Sequence, residues 1–331
     1  MKRYQILLLF AVIFACSFTT LTFKPSPSYD SADAFRNTVQ EDAYLQPEGA
    51  FVKTDVAEGL CHYLFEGFDS VTGAMQTVNV LRVDLDNENY RVVFDYGSDS
   101  TSSAALKYNA IAAINATYEA DASYIRVDGH NYSEVSIPAG HLRYWKHDGA
   151  LVLEGDRNMS IVHGAASGPA TAEGGVAAIN LYKSLAAPNI FSSSPMLIDD
   201  YNPVGASFVP DPLEKPIKEY PYEDYRRHQG VRHPRVAVAL TGDNDLLLVV
   251  VDGRWPSATG MSAKELTLFL AKHFNPRWAL NMDGGGSSTM YLKGYGTEDT
   301  NVLNYPTDNK RYDHYGQRRI CTHLMICPAN D

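Results

Sequence analysis

The stretch that decides the fold reads LLLVVVDGR at residues 246–254 and, further along the chain, WALNMDGGGSST at residues 278–289. Six consecutive apolar residues without alternation are typical of a strand that is covered on both faces. That run ends at Asp252, and the second apolar run ends at Asp283. The two runs therefore predict buried strands, each followed by an aspartate and a glycine.

A helix is predicted between these two strands. Ser262 and Glu265 have the spacing of a capping box, and Met261 and Leu266 have that of a hydrophobic staple. The Asn-Pro pair at residues 275–276 ends the helix. Connections of this strand–helix–strand kind are nearly always right-handed and make the two strands parallel.

Asp252 and Asp283 follow the carboxyl ends of those strands, so we expect them at the same edge of the sheet. Their lateral separation is expected to be ~5 Å if the strands are neighbours and ~10 Å if one strand intervenes. Open α/β sheets bind their ligands at this edge. We therefore expect both carboxylates to share one cleft in an α+β fold of mixed β-sheets, with a strand–helix–strand unit carrying the DGGGSS loop.

Three glycines and three hydroxyl residues follow Asp283. Consecutive glycines cost backbone entropy, but they let a ligand approach the backbone, and their N–H groups can form an anion-binding nest. The alternative is a tight turn with capping hydroxyls. The sequence has neither the GxxxxGK[ST] phosphate loop nor the GxGxxG dinucleotide fingerprint. The motif consists of Gly284, Gly285, Gly286, Ser287, Ser288 and Thr289.

The block NMDGGGSSTM at residues 281–290 resembles the signature of the phosphodiester glycosidase family. The resemblance is close over about residues 230–327 and weaker over residues 105–200. It implies a hydrolase that acts on a sugar joined through C1 to a phosphodiester. Further stretches that carry the resemblance are residues 235–238, 251–254, 260–262, 304–308 and 317–319.

Residues 115–119 depart from the family pattern. The family commonly has Asn-Gly-Gly-Phe-Phe at this place, whereas this chain reads NATYE. Asn115 and the aromatic Tyr118 are kept, but Ala116 and Thr117 replace both glycines. Because they add side chains, we expect these two residues to change how closely a ligand passes and hence which sugar is accepted.

The implied reaction makes specific demands on the site. Cleavage of the C1–O bond builds positive charge on the sugar and leaves a phosphomonoester. The phosphate needs cations or N–H donors, and C1 needs a nearby carboxylate. We therefore predict Asp283, Asp252 and Arg235 as catalytic, with the glycine amides on the phosphate and Asn115 and Asn281 on the sugar. The predicted substrate-binding residues are Asn115, Tyr118, Arg254, Asn281, Gly284, Gly285, Gly286, Ser287, Ser288, Thr289, Asn304 and Asp308.

Simpler interpretations stay open for several of these residues. Arg235 can be the partner of a buried aspartate, and Asp252 can cap the turn before Arg254. Two other functions are also open: a surface lipoprotein that binds glycans without turnover, and a metal-dependent phosphodiesterase that cleaves the P–O bond.

The sequence indicates no cofactor and leaves a divalent cation open. One set of histidines and aspartates suggests a metal cluster, but we interpret it as surface polarity. No histidine is assigned to catalysis. The residues of that set are His130, His141, His147, Asp128 and Asp148.

Alternating apolar residues predict further strands in the rest of the chain. Residues 78–85 and 90–96, joined by the turn-rich DNEN, predict a β-hairpin. Short strands are predicted at residues 111–114, 151–153, 160–163, 176–179, 235–240 and 320–326. Residues 199–225, rich in proline, tyrosine and acids, predict a long loop or flap, and loops of this length are often functional.

The N-terminus predicts export. Two basic residues precede an apolar run at residues 6–14, which is too short for a bilayer span but has the length of a signal-peptide core. The sequence IFAC ending at Cys16 resembles a bacterial lipoprotein cleavage site, and plain cleavage to a soluble secreted protein is the alternative. We predict a signal peptide over residues 1–16, a flexible tether over 17–50 and one domain over 51–331, placed in the periplasm or at the cell surface.

Charge and cysteine content limit the partners. The 331 residues carry a net charge of −11, which disfavours nucleic acid and requires any anion site to be built locally against the net field. Cys321 and Cys327 are predicted on one strand, too far apart to form a disulfide with each other. The partners that remain are a sugar-1-phosphodiester or phosphoglycan substrate, which the family resemblance implies, and a membrane, which the predicted lipid anchor implies.

Overall fold

The computed structural model of the chain describes residues 48–133, 135, 143–164 and 171–329. The predicted signal peptide, Cys16 and most of the predicted tether lie outside the described residues, as does His141. The described part has sixteen strands and four α-helices, which confirms the α+β class. Its helices include none with the length and apolar character needed to cross a membrane.

The elements follow one another in this order. The strands are β1 (Ala50–Ala57), β2 (Leu60–Asp69), β3 (Ala74–Asp84), β4 (Tyr90–Asp99), β5 (Ala112–Asn115), β6 (Ile125–Val127), β7 (His130–Asn131), β8 (Gly149–Glu154), β9 (Asn158–His163), β10 (Asn189–Ser193), β11 (Met196–Ile198), β12 (Arg235–Leu240), β13 (Asp245–Val251), β14 (Trp278–Asn281), β15 (Met290–Leu292) and β16 (Ile320–Pro328). The helices are α1 (Thr101–Lys107), α2 (Ala172–Ser184), α3 (Tyr225–Gly230) and α4 (Ala263–His273).

Three sheets form the fold. The seven-stranded sheet has the order β1-β2-β3-β13-β12-β14-β11, the five-stranded sheet β7-β6-β10-β8-β9, and the four-stranded sheet β15-β5-β16-β4. Neighbouring strands in each sheet pair antiparallel, so the prediction of mixed sheets is wrong. β13 and β14 do run parallel to each other, but β12 lies between them and pairs antiparallel with both.

β13 is covered on both faces, as its apolar run predicts. Leu246, Leu248 and Val250 belong to the largest core cluster, to which all three sheets contribute. Leu247 and Val249 belong to a second cluster that includes the apolar face of α4. Because successive side chains of a strand point to opposite faces, a strand that is buried on both faces needs apolar residues at every position.

Helix α4 begins and ends close to the predicted residues. Ser262 is its N-cap, and the Ser262 and Glu265 side chains form the complete capping box. Its C-cap is Phe274, directly before the Asn-Pro pair. The helix covers the face of the seven-stranded sheet that lies opposite the other two sheets.

Two local predictions are wrong. Residues 86–89 do not close a hairpin, because β3 pairs with β2 and β13 whereas β4 pairs with β16 in a different sheet. The connection therefore carries the chain from one sheet to another. Residues 176–179, predicted as a strand, lie in helix α2, whose N-cap Thr171 accepts a hydrogen bond from the Gly174 N–H.

The long loop and the unpaired cysteines agree with their predictions. Residues 199–224 contain only two short 3₁₀ helices before α3 begins. Cys321 and Cys327 both lie on β16, and they and Cys61 are free thiols. Cys327 is buried, whereas the other two are only partly so.

Candidate active site

A polar cavity lies against the loop that follows β14. Asp283 and the three glycines form one part of its wall, and residues from the 143–146 segment, from α3 and its flanks, and from β12 form the rest. Five of the lining side chains are cationic and three are carboxylic acids. The lining residues are Tyr118, Glu119, Arg143, Lys146, Tyr222, Glu223, His228, His233, Arg235, Arg254, Asp283, Gly284, Gly285, Gly286 and Arg318.

Asp283 is partly exposed to this cavity. Its backbone is fixed on both sides, because its N–H donates to the Ala116 carbonyl at 2.9 Å and its carbonyl accepts from Asn115 Nδ2 at 2.7 Å. Desolvation raises the pKa of its carboxyl to about 6, despite a hydrogen bond with Ser287 that opposes the rise. Asp283 is therefore mostly ionised at pH 7 and becomes protonated as the pH falls through about 6.

The centre of the glycine triplet has a backbone conformation that requires glycine. Gly285 has φ +66°, in the left-handed region that favours glycine, and its N–H donates to the Pro234 carbonyl at 2.8 Å. That amide is thus already hydrogen bonded. At Gly286, a Cβ atom would lie 2.5 Å from Arg318 Nη2, so a side chain would displace a cation of the cavity.

Asn115 and Asn304 bind the glycine loop rather than facing the cavity. Asn115 accepts a hydrogen bond from the Thr289 N–H at 3.0 Å and, as noted, donates to the carbonyl of Asp283. Asn304 accepts from the Met290 N–H at 2.8 Å and donates to the Ser288 carbonyl at 3.0 Å. Both side chains are fully buried.

Asp252 is fully buried and is not among the residues that line the cavity. One carboxylate oxygen accepts from Asn304 Nδ2 at 3.0 Å and from the Tyr305 N–H at 2.9 Å. The other oxygen has no hydrogen-bond partner among the described residues. Desolvation raises the pKa of this carboxyl to about 7. These contacts favour a structural role, in which Asp252 holds the segment around Asn304 against the glycine loop.

The other asparagine and hydroxyl residues that were predicted to bind substrate are also mostly buried. Asn281 is fully buried and donates to the Ser194 carbonyl at 2.7 Å. Thr289 donates from its hydroxyl to the Ser287 carbonyl at 3.1 Å, and Ser288 is buried. Of the three hydroxyls, only that of Ser287 influences the pKa of Asp283, which it lowers.

Arg235 and Arg254 both line the cavity, as predicted. Arg235 is 2% exposed and donates to the Met261 carbonyl, the Gln229 side chain and the Val231 carbonyl, each at 2.8 Å. Arg254 has φ +73°, which is rare for a residue with a side chain and indicates a constrained loop. Its guanidinium donates to Thr307 Oγ1 at 2.7 Å.

Tyr118 lines the cavity, whereas Asp308 does not. Tyr118 is almost fully buried, and its hydroxyl accepts from Gln229 Nε2 at 3.3 Å. Asp308 accepts a hydrogen bond from Arg318 Nε at 2.8 Å and so holds that guanidinium at the cavity.

The substitutions at residues 116 and 117 fill space inside the protein. Ala116 belongs to the main core cluster and does not line the cavity. The Thr117 hydroxyl makes hydrogen bonds to Ser123 and to the Ser192 carbonyl. Glu119, at the next departure from the family pattern, is exposed and lines the cavity beside Asp283.

Sequence reasoning missed several of the cavity residues. Lys146 is 3% exposed, and its ammonium lies 4.2 Å from the ring centroid of Tyr118. His228 contacts the same ring, and burial, followed by the charges of Lys146 and Arg235, holds its pKa well below the usual value. Arg318 had a signal in the sequence, since it lies in a stretch that resembles the family. Lys146 and His228 had none, because tertiary contacts alone bring them to the cavity.

One group of three side chains in the described ranges could hold a metal ion. The ligand atoms of Glu48, Asp69 and His273 lie within 4.8 Å of one another, and none of these residues lines the cavity. The second set of possible metal ligands was interpreted above as surface polarity. That interpretation is wrong for two of its residues. His147 and Asp148 are buried, where they bond to Ser192 Oγ and to the Met196 N–H.

Known proteins share the sequence pattern and the fold. The sequence model of the phosphodiester glycosidase family matches residues 108–327. The SPbeta prophage-derived uncharacterized protein YomE of Bacillus subtilis strain 168 is 32% identical over 110 residues. That match covers 29% of this chain and only 17% of the length of that relative.

Three solved structures are similar to this chain at low sequence identity. The catalytic domain of zebrafish N-acetylglucosamine-1-phosphodiester alpha-N-acetylglucosaminidase, auto-inhibited by its pro-peptide, has a TM-score of 0.54 at 18% identity, over 92% of this chain and 94% of that one. A putative exported protein from Burkholderia pseudomallei has a TM-score of 0.53 at 15% identity, over 78% and 75%. A hypothetical protein from Synechocystis has a TM-score of 0.51 at 13% identity, over 84% and 63%. At these identities the likeness shows the fold.

Proposed function

We propose that this chain, which belongs to the phosphodiester glycosidase family, hydrolyses the C1–O bond of a sugar-1-phosphodiester in an exported glycan. One observation carries the proposal: Asp283 lies in a cavity where five cationic side chains outnumber the carboxylates. Such a cavity suits a phosphodiester beside a sugar, in a protein whose net charge of −11 otherwise repels anions.

The cations and the carboxylate have separate tasks in this proposal. Arg235 and Arg254 hold the phosphate oxygens and stabilise the charge that develops on the leaving group. The C1–O bond breaks with its electron pair going to the phosphate oxygen, and a water oxygen becomes bonded to C1. Asp283 stabilises the positive charge on the sugar, as a carboxylate near C1 does in glycosidases.

The raised pKa of Asp283 supports a role in proton transfer as well. A carboxyl whose pKa is about 6 can take a proton from water and release it within the physiological range. Because the ionised form is the one that stabilises the sugar cation, we expect kcat/KM to fall as the pH is lowered through about 6. His228, which also lines the cavity, is held neutral by burial, which keeps its pKa low, and adds no positive charge there.

A screen with sugar-1-phosphate diesters tests the proposal. The wild-type protein should release free sugar, and Asp283→Asn should reduce kcat/KM by at least about 10²-fold. The control is Asp156→Asn, which changes an exposed aspartate outside the cavity and should leave the rate unchanged. Both variants are to be compared by thermal melts, so that loss of activity is separated from loss of folding.

The position of bond cleavage distinguishes the competing activities. Hydrolysis in ¹⁸O-water places the label in the sugar if the C1–O bond breaks and in the phosphate if the P–O bond breaks. Label in the phosphate would overturn the glycosidase proposal in favour of a phosphodiesterase. Binding of the diester without any release of sugar, by correctly folded protein, would favour a glycan-binding lipoprotein.

We also propose that the protein is exported and anchored by a lipid on Cys16. The support is the basic start, the apolar run at residues 6–14 and the cysteine that follows a small residue. Cys16→Ala should move the protein out of the membrane fraction once the signal peptide is cleaved. If the variant stays there, fatty-acid labelling of the wild-type protein decides between an uncleaved signal and a different anchor.

A further inference from the structure

Glu223, in the loop before α3, places a carboxylate against two cations of the cavity. Its Oε2 atom lies 3.3 Å from Arg143 Nε and 3.3 Å from Lys146 Nζ. The backbone at this position is fixed, because Trp145 Nε1 donates to the Glu223 carbonyl at 2.9 Å. Lys146 is almost fully buried, and the carboxylate is two-thirds buried. Glu223 is therefore held in a fixed position in the cavity wall.

This carboxylate reduces the positive excess of the cavity. Among the lining side chains, the cations outnumber the carboxylates by two when Asp283 is ionised. Two carboxylates outside the cavity reduce the excess further, because Asp308 pairs with Arg318 and Asp121 pairs with Arg143. With these two included, five carboxylates face the five cations, so no positive excess is left to balance the second charge of a dianion, which the cavity therefore matches more poorly than a monoanion.

The proposed reaction converts a phosphate group that is a monoanion into one that is nearly a dianion. A phosphodiester carries one negative charge, whereas the phosphomonoester left after C1–O cleavage carries nearly two above its second pKa of about 6. The product thus gains charge while it still occupies the cavity. Repulsion from a fixed carboxylate is a means of rejecting one ligand in favour of another.

We propose that Glu223 is a specificity residue that makes the cavity accept the phosphodiester monoanion and expel the phosphomonoester dianion. This inference rests on the proposed function and extends it to product release. Without the Glu223 charge, Arg143 and Lys146 would both bind the phosphate. The affinity of the dianion would then increase more than that of the monoanion. Glu223 would then speed turnover by weakening product inhibition.

Binding of two small phosphates to the full chain tests this proposal. At pH 8, dimethyl phosphate is a monoanion and methyl phosphate a dianion, and neither contains a sugar that could be hydrolysed. The wild-type protein should bind dimethyl phosphate at least as tightly as methyl phosphate in calorimetric titrations. Glu223→Gln should bind methyl phosphate about ten-fold more tightly, with a change of less than about three-fold for dimethyl phosphate.

Two further variants make the result specific. Glu219→Gln changes an exposed glutamate in the same loop that does not line the cavity, and it should bind both anions as the wild type does. Glu223→Asp keeps the charge and should keep the preference for the diester. Thermal melts of each variant show whether the protein has kept its stability.

The outcomes separate this inference from the proposed function. An equal change for both anions in folded Glu223→Gln, or no gain for methyl phosphate, would overturn the role of Glu223. Absence of binding of either anion to the wild type and the variant would overturn both proposals. A selective gain for methyl phosphate, in a protein that releases no sugar from any diester, would support the specificity role and count against the glycosidase activity.

Discussion

Asp252 and Asp283 follow strands on either side of β12, but their carboxylates have different surroundings. Asp283 faces a cavity with cations, whereas Asp252 is enclosed and is bonded to Asn304 and to the Tyr305 N–H. Both pKa values are raised by desolvation, to about 6 and about 7. The difference lies in access: Asp283 lines the cavity, whereas Asp252 is fully buried and does not. At the scale of residues, the two predicted catalytic carboxylates thus separate into one that lines the cavity and one that is bonded to the segment around Asn304.

Asp252→Asn should stabilise the protein at alkaline pH and leave turnover largely intact. A carboxyl whose folded pKa lies above its unfolded value of about 3.8 destabilises the fold as the pH rises, and the full penalty is reached above about 7. The amide removes this penalty while its oxygen can still accept from Asn304. We expect a gain of about 1–2 kcal/mol at pH 8 that vanishes near pH 4, measured by denaturant unfolding. A normally folded variant that has lost turnover would instead make Asp252 catalytic.

Gly285→Ala should lower turnover far more than Gly294→Ala. Both glycines have positive φ, +66° and +80°, so each substitution should cost about 1 kcal/mol of stability through backbone strain. A methyl group at Gly285 would lie 3.1 Å from Arg254 Nη2, whereas nothing lies within 4 Å of one at Gly294. Kinetics and melts of both variants measure the two effects. Equal turnover in the two variants would show that the glycine loop is only a turn.

At the scale of elements, the capping of helix α4 is linked to the cavity. Ser262 and Glu265 close the first turn, and Glu265 also accepts a hydrogen bond from Arg232 Nε at 2.9 Å. The carbonyl of Met261, the residue before the cap, accepts a hydrogen bond from Arg235 Nε at 2.8 Å. The N-terminus of α4 therefore contributes to the position of a cation that lines the cavity.

Ser262→Ala should destabilise the protein by about 1 kcal/mol, because one N–H of the first helical turn loses its acceptor. In a chain of this size the melting temperature should fall by about 2–4 °C. The control is Ser184→Ala, which changes an exposed serine in the last turn of α2 and should shift the stability by less than about 0.5 kcal/mol. A melting temperature equal to that of the wild type would mean that packing alone holds the helix.

At the scale of the whole molecule, a charged contact joins two of the sheets. His163, the last residue of β9 in the five-stranded sheet, lies 2.9 Å from Asp199, which directly follows β11 of the seven-stranded sheet. Its other ring nitrogen lies 3.5 Å from the buried Asp148. The contact with Asp148, followed by the hydrogen bond with Asp199, raises the pKa of His163 to about 9.

The contribution of His163 to stability should therefore be lost at alkaline pH. A histidine with a raised pKa stabilises the fold fully below its unfolded value of about 6.5, and the contribution disappears as the pH rises through about 9. His163→Gln should unfold more easily than the wild type at pH 6, by about 1–2 kcal/mol. The two proteins should converge by about pH 10. A constant difference across this range would show that His163 acts through packing rather than charge.

The sequence by itself determined the features that depend on near neighbours. The buried strand β13, the limits of α4 and the glycine loop after Asp283 follow from side-chain alternation, capping residues and backbone freedom, which act over a few residues. The family followed from the residues of that same loop and its flanks. These parts could be predicted because their signals and their structures occupy the same short stretch of chain.

Only the tertiary structure decided which distant residues meet. Alternation predicts that β3 and β4 are strands but does not say that each pairs in a different sheet. Likewise, no local pattern shows that Asp283 faces the cavity while Asp252 is covered, or that Lys146 and Glu223 meet there. Sheet pairing and burial arise from contacts between segments far apart in sequence, and those contacts leave no periodic signal in either segment alone.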